Sequence, residues 1–283
     1  MTPAPRTALK SRPPRVLPRV LPRALWQSVA AEWVRVWSVR STWWCLACAF
    51  VLTVLAAATL GAANATEAVR EGVDTRVTAS EAVVSATSFA QFALVALAML
   101  TVTSEYASGG IRVTLQATPV RGMVLAAKAL VVAPVMVLAG VLTGAVATAA
   151  VYALLSIDVF GGLVVLPPGE VAWDLLATGG YYALIGVMTV GAGAAMRSAA
   201  GTLSAVFMLL MGLPLLLIMT GSQVAVDVSL RMPMFAGLAF MDSTDNLTGA
   251  PIPYSAGEGL AWLLAWTAAA LATGWAVLRH RDA

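Results

Sequence analysis

Charge is scarce in this sequence. Only 11% of its 283 residues are Asp, Glu, Lys or Arg, whereas 60% are hydrophobic and the mean hydropathy is +0.85. A soluble domain of ordinary composition carries about a quarter charged residues, so a soluble enzyme is excluded. Lysine occurs twice, at Lys10 and Lys128, and neither belongs to a G-x-x-x-x-G-K-[ST] loop, so a nucleotide-hydrolysing P-loop is absent from this chain. Histidine occurs once, at His280. With no Ser/His/Asp set and no paired carboxylates inside the apolar segments, membrane-embedded proteolysis and metal catalysis have no residues to work with. The two cysteines, Cys45 and Cys48, have redox-like C-x-x-C spacing. Both fall in a charge-free apolar stretch where a thiolate is disfavoured, which makes them packing residues.

What the sequence has in quantity is apolar length. Charge-free runs cover Trp44–Ala63, Val83–Val102, Leu130–Leu155, Leu175–Met196, Thr202–Val226 and Leu260–Leu278. Each is long enough to cross about 30 Å of hydrocarbon at about 1.5 Å per residue. The expected fold is an all-α integral membrane protein of six transmembrane helices. Six crossings place both termini on one side. The termini, the 103–129 connection and the turn at Arg197 together hold fourteen basic and three acidic residues, against three basic and eleven acidic on the other side. Because Lys and Arg resist translocation, the basic side is expected to be cytoplasmic, in a cell membrane. The overall +3 charge and pI near 9.1 therefore report topology and point to no nucleic-acid partner.

Residues 1–25 form a Pro/Arg tail in which Arg-Val-Leu-Pro repeats at 15–18 and 19–22. Proline removes donors and favours extended chain, and no apolar signal core follows, so the tail is expected to stay attached and disordered. It either lies on anionic lipid, docks a partner, or simply fixes topology. From 26 to 42 the period becomes helical. Trp26, Val29, Ala30, Trp33 and Trp37 share one stripe, with Ser28, Glu32, Arg35 and Ser38 opposite. An interfacial elbow helix is expected here, with Trp33, Arg35, Trp37 and Arg40 at the headgroup level, turning down at Trp43 and Trp44. It serves either as a generic anchor or as a contact for a cytoplasmic partner.

The six-span unit occupies 43–283. Its intramembrane polar residues are neutral, namely Ser88, Gln91, Thr143, Thr148 and Thr189. The spans lack the midplane ionisable groups that ion-coupled carriers commonly use. Gly140, Gly144, Gly186, Gly191, Gly193 and Ala195 permit close helix contact, and Pro134 and Pro214 are expected to kink their spans. Between the fifth and sixth runs, apolar Met232–Met241 is too short to cross and is expected at the outer interface. The sequons Asn64-Ala-Thr66 and Asn246-Leu-Thr248 are short enough to arise by chance.

The connection between the second and third runs reads as structure. Gly109 and Gly110 break the exiting helix, Ile111–Leu115 is a short apolar-polar stretch, and Thr118-Pro119 fits an N-cap and first-turn pair. Arg121 and Lys128, seven residues apart, would mark a cytosolic stalk. The expected product is a stiff lever below the bilayer, either a docking surface or an ordered loop.

Three stretches carry a resemblance to a known family. They are Glu32-Trp-Val-Arg-Val-Trp-Ser-Val-Arg-Ser-Thr-Trp-Trp44, then Ser104-Glu-Tyr with Gly110-Ile-Arg-Val-Thr-Leu, Thr118-Pro-Val-Arg121 and Ala127-Lys128, and the terminal Arg281-Asp-Ala283. With Met196-Arg-Ser198 and the six-span layout, the sequence resembles the permease subunits of ABC-2 type ATP-binding-cassette transporters, particularly actinobacterial ones. The resemblance implies a separate cytoplasmic ATPase that carries ATP and Mg, with no cofactor on this chain. It also implies a second permease, identical or related, surrounding lipid, and export rather than chemistry. It assigns ATPase coupling to Glu105, Tyr106, Gly109, Arg112, Leu115, Pro119 and Arg121. The basic tail departs from the family pattern. Competing expectations are an energy-independent channel or scaffold and a secondary transporter. A charge-free pathway suits amphipathic or lipid-like cargo.

Overall fold

A computed structural model describes residues 21–71, 77–117, 120–157, 164–243 and 252–280. Most of the Pro/Arg tail, Asn246, Thr118, Pro119 and the terminal Arg281-Asp-Ala283 lie outside them. The described chain is helical apart from Val77–Thr78 and Val164–Val165, which pair as two-residue parallel strands. Six helical segments are long and apolar enough to cross a membrane, so the chain is a multi-pass membrane protein.

Helix α1 (Leu21–Ser38) starts at Leu21 rather than Trp26, so the last residues of the expected tail are helical. The chain bends at Val39 into the first span, α2 (Arg40–Glu71). The Trp43 indole donates to the Trp37 carbonyl at 3.3 Å, satisfying one of the orphan acceptors at the end of α1. The second span, α3 (Glu81–Ser108), opens with Glu81 on the positive end of its dipole and stops at Gly109. Gly109 takes φ 71°, a left-handed cap that glycine adopts without a Cβ clash. The glycine break therefore falls where the sequence placed it. A seven-residue helix, α4 (Ile111–Ala117), follows, and the third span, α5 (Arg121–Leu155), begins at Arg121 after an extended Val120. The start expected at Thr118 is thus displaced toward the membrane.

Helix α5 runs through Pro134 without interruption. The fourth span, α6 (Pro168–Met196), ends on a left-handed Arg197. The fifth is built from α7 (Ala199–Phe207), a π-turn at Met208–Gly212 and α8 (Leu213–Met219). The Leu213 N–H reaches back to Met208, so the helix absorbs an extra residue just before Pro214, the position expected to disturb it. This span ends at Met219 rather than Val226, because Gly221, at φ 67°, reverses the chain. Two short helices, α9 (Gln223–Leu230) and α10 (Pro233–Phe240), precede the sixth span, α11 (Ala256–His280).

Burial within the chain is uneven. In the most apolar window of each span, 72% of α3 and 67% of α6 are buried, against 22% of α2, 22% of α7–α8 and 17% of α11. Helices α3 and α6 are therefore the centre of the bundle. Lipid offers apolar surface everywhere, so association depends on close backbone approach. A Cβ added at Gly140 would lie 2.9 Å from the Gly179 Cα, and one at Gly191 would lie 2.6 Å from the Ala270 backbone.

Helix α10, within the segment expected at the outer interface, is packed into the bundle. Every residue from Pro233 to Ala239 is buried, and a Cβ at Gly237 would overlap the Tyr181 ring. The Tyr181 hydroxyl donates to Gln91 Oε1 at 2.5 Å. Helix α10 sits toward the end of the bundle that carries Glu81 and Glu170: a Cβ at Gly259, in the first turn of α11, would lie 2.7 Å from the Ala236 carbonyl, and Met241 and Asp242 line a cleft with Glu81 and Glu170. Tyr254 donates to the Leu230 carbonyl and Trp266 to the Arg231 carbonyl, which holds the α9–α10 turn. Burial pushes the Tyr254 phenol up to about 12 against the opposing pull of Arg231, so it remains a donor at neutral pH.

Candidate functional site

The end of the bundle that carries α4 holds a buried ionic cluster from three helices. The glycine break and α4 turn the chain back so that Lys128, about two turns into α5, faces Glu105 at the end of α3. Lys128 Nζ donates to Glu105 Oε1 at 2.5 Å and to the Thr101 carbonyl at 2.8 Å. It also lies 3.0 Å from both carboxylate oxygens of Glu32 on α1. Arg35, one turn further along α1, pairs with Glu105 and lies 3.3 Å from Glu32. Lys128, Glu105 and Glu32 are only 3%, 5% and 7% exposed, while the Arg35 side chain is 46% exposed.

The cluster sits on an apolar seat. Val36 of α1 is buried with Val131 and Val135 of α5, and Val29 and Trp37 pack against them. Beside it, Glu32, Arg35, Val36, Leu97, Leu100 and Thr101 are among the residues lining a small cavity of about 70 Å³. Desolvating two carboxylates and an ammonium costs several kcal/mol per ion, and direct pairing only offsets this, so a buried ion network is a weak source of stability. What it does supply is register. α1 can satisfy Glu32 and Arg35 together only when it lies across α3 and α5 at this one position.

The sequence-assigned coupling residues do not form a single patch. Glu105 points into the chain, toward α1 and α5. Tyr106 points the other way, with the Arg197 guanidinium carbon 5.6 Å from its ring centroid. Arg121 leaves the proposed stalk and donates to the Leu278 carbonyl of α11 at 2.6 Å. Gly109 is the left-handed cap and Arg112 is exposed on α4, beside Val113 at 68% exposure. Leu115 lies within α4, and Pro119 is outside the described residues. Of the elbow residues, Trp33 and Arg40 are exposed, Trp37 is half-buried against α5, and Arg35 enters the cluster.

Two expectations are corrected. Glu32 does not face away from the packed side of α1, and Lys128 is not on a water-facing stalk. The signals were present. Leu25, Val29, Glu32 and Val36 follow helical spacing, a second stripe beside the tryptophans with one acid in it. Lys128 is a lone cation between apolar neighbours Ala126–Ala127 and Ala129–Leu130. An acid in one apolar stripe and a base in another are natural partners.

Compared with known proteins, the sequence matches no family model and no curated protein. Its function is read from its own geometry. No group of three or more His, Cys, Asp or Glu suited to a metal occurs among the described residues.

Proposed function

We propose that this chain is the membrane-spanning permease subunit of an ABC-2 type ATP-binding-cassette transporter, an exporter in the cell membrane with both termini cytoplasmic. It works beside an identical or related second permease and is driven by a separate cytoplasmic ATPase that supplies ATP hydrolysis. The observation that carries this reading is the ionic union of α1 with the α3–α4–α5 connection, through Glu32, Arg35, Glu105 and Lys128. A helix lying outside the bundle and the helical lever between two spans are held as one body, which is what an externally applied stroke requires.

In this reading Glu105 is the internal joint of the lever rather than a docking contact. Docking belongs to the exposed face of α4, with Arg112 and Val113. The exposed Trp26 and Trp33 face lipid headgroups, where indole is favoured. Closure of the ATPase pushes α4, and the rigid α1–α3–α5 body carries that displacement into the spans. An open groove of about 600 Å³ lined by Phe92, Leu203, Ser204, Phe207 and Met208 supports amphipathic cargo, since its walls are almost wholly apolar.

The test is affinity purification of the tagged full-length chain, with mass spectrometry of what accompanies it, followed by flux in proteoliposomes. A P-loop ATPase is expected, with flux that requires ATP and is lost in Arg112→Glu/Val113→Asp. Flux that persists without nucleotide identifies a channel, and flux that stops only when an ion gradient collapses identifies a secondary carrier. Either outcome overturns the proposal.

A further inference from the structure

The last turns of α3 send two consecutive side chains to different parts of the molecule. Glu105 binds α1 and α5, as described. Tyr106 lies under Arg197, which occupies the sharp joint between α6 and α7. Arg197 has φ 56°, a conformation most side chains avoid, and its N–H closes onto the Gly193 carbonyl at 2.9 Å. Its Nη2 donates to the Val277 carbonyl of α11 at 3.4 Å, and Arg121 donates to the next carbonyl, Leu278. These are acceptors at a helix C-terminus, where no intrahelical donor remains and the dipole is negative. Two guanidiniums from different helices therefore hold the end of α11, and one of them also faces the ring beside Glu105.

We infer that Arg197 is a positioning residue that ties the lever to the fourth, fifth and sixth spans, so that the α3 terminus drives both halves of the bundle through Glu105 on one side and Tyr106–Arg197 on the other. The reasoning is geometric. The α6–α7 joint is only Arg197 and Ser198 long, so a displacement at Arg197 reaches both adjoining helices. The carbonyl contact brings in α11, which otherwise joins the bundle mainly through its close approach to α6 and α10. The last turns of α3 already pack on α6, where a Cβ at Gly193 would lie 3.3 Å from the Val102 Cβ, and the guanidinium adds a polar link from Tyr106 to α11. The consequence for transport rests on the permease reading, whereas the tether itself does not.

The full chain is tested in nanodiscs, with Cys45 and Cys48 replaced by Ala and spin labels at pairs of exposed sites. One pair is Val113 on α4 with His280 at the end of α11, and the reference pair is Val113 with Ala30 on α1. Double electron–electron resonance is expected to give narrow distances for both. Arg197→Gln broadens the Val113–His280 distance only, and Arg197→Lys, which keeps a cation for ring and carbonyl, restores it. Unchanged distances in Arg197→Gln overturn the inference, as does equal broadening of both pairs, which signals general loosening. Should Arg197→Gln fail to insert, Tyr106→Leu removes the ring while leaving the α11 contact. It is expected to broaden the same pair, with Tyr106→Phe as the silent control, and a narrow distance in Tyr106→Leu overturns the tether.

In proteoliposomes holding the co-purified ATPase, Arg197→Gln is expected to lower ATP-driven flux about tenfold, the scale of a typical coupling between sites, with the amount of bound ATPase unchanged. Undiminished flux overturns the relay. If no ATPase accompanies the wild-type chain, the permease reading fails on that ground alone, and the label distances still decide whether Arg197 joins the lever to α11.

Discussion

The two ends of this bundle are closed by opposite means. At the end carrying α4, separate helices are joined by charged side chains, Glu32, Arg35, Glu105 and Lys128 in one cluster and Arg121 and Arg197 on the end of α11. At the other end the closure is the apolar helix α10, packed against Tyr181 and α11 with Phe235 wholly buried. Glu81, Glu170, Asp174 and Asp242 line an open cleft of about 380 Å³, and the tie to Asp174 is a donation from Ser80 at 2.5 Å. Ionic contacts are directional and can be exchanged for a partner or for water, whereas a close-packed apolar helix resists small displacement. One end is thus joined by polar contacts that a partner or water can replace, and the other by close apolar packing.

The most damaging way to break this contrast is Lys128→Met. It leaves Glu32 and Glu105 buried with only the half-exposed Arg35 to neutralise them, and is expected to cost about 3–5 kcal/mol in equilibrium unfolding in mixed micelles. The triple variant Glu32→Gln/Lys128→Met/Glu105→Gln should recover more than half of that, since nothing charged is then stranded. A Lys128→Met protein as stable as wild type would show that the cluster does not hold the lever.

The apolar end is probed by Gly237→Ala. The new methyl overlaps a core aromatic ring with no open space to take it, so a loss of about 1–3 kcal/mol is expected in the same assay. Full stability would mean that α10 is loosely seated. Tyr181→Phe removes the hydroxyl that meets Gln91 and should cost about 0.6 kcal/mol, the usual worth of one hydrogen bond between membrane helices. Arg35→Gln should have the smallest effect, below about 1 kcal/mol, because nearly half of that side chain is exposed and its pairing is screened. Raising the salt should shrink the Arg35 effect and leave that of Lys128 nearly intact, which sharpens the difference between rim and interior of the cluster.

How much of this could be read from the sequence depended on the reach of each signal. The six spans were legible because a run of about 20 apolar residues needs no knowledge of neighbours. The break at Gly109–Gly110 was legible because positive φ is a local demand. The pairing of Glu32 with Lys128 was not, since it joins residues far apart in the chain and depends on which of two adjacent stripes of α1 faces protein. The exposed Trp26 and Trp33 mark one stripe strongly enough to conceal the other. The fifth span was read as too long because composition stays apolar past Gly221, while the chain reverses there by a single backbone conformation. For α10, length excluded a crossing, but only tertiary packing against Tyr181 sets its depth. The seven residues that the resemblance assigns to coupling all fall between 105 and 121, yet Glu105, Tyr106 and Arg121 diverge, because neighbouring positions on a helix face different directions.

The buried cluster also has a consequence for how this joint responds to membrane voltage. The α1 side contributes one carboxylate and one guanidinium, Glu32 and Arg35, and the bundle side contributes one carboxylate and one ammonium, Glu105 and Lys128. Each side sums to zero when its groups are ionised. The cluster groups that would move with α1 therefore carry no net charge of their own, although a single unbalanced charge crossing the field fully would be worth about 2.3 kcal/mol per 100 mV. The cluster is in that sense electrically silent, and any response of α1 to voltage falls to Arg23, the other charged side chain on that helix.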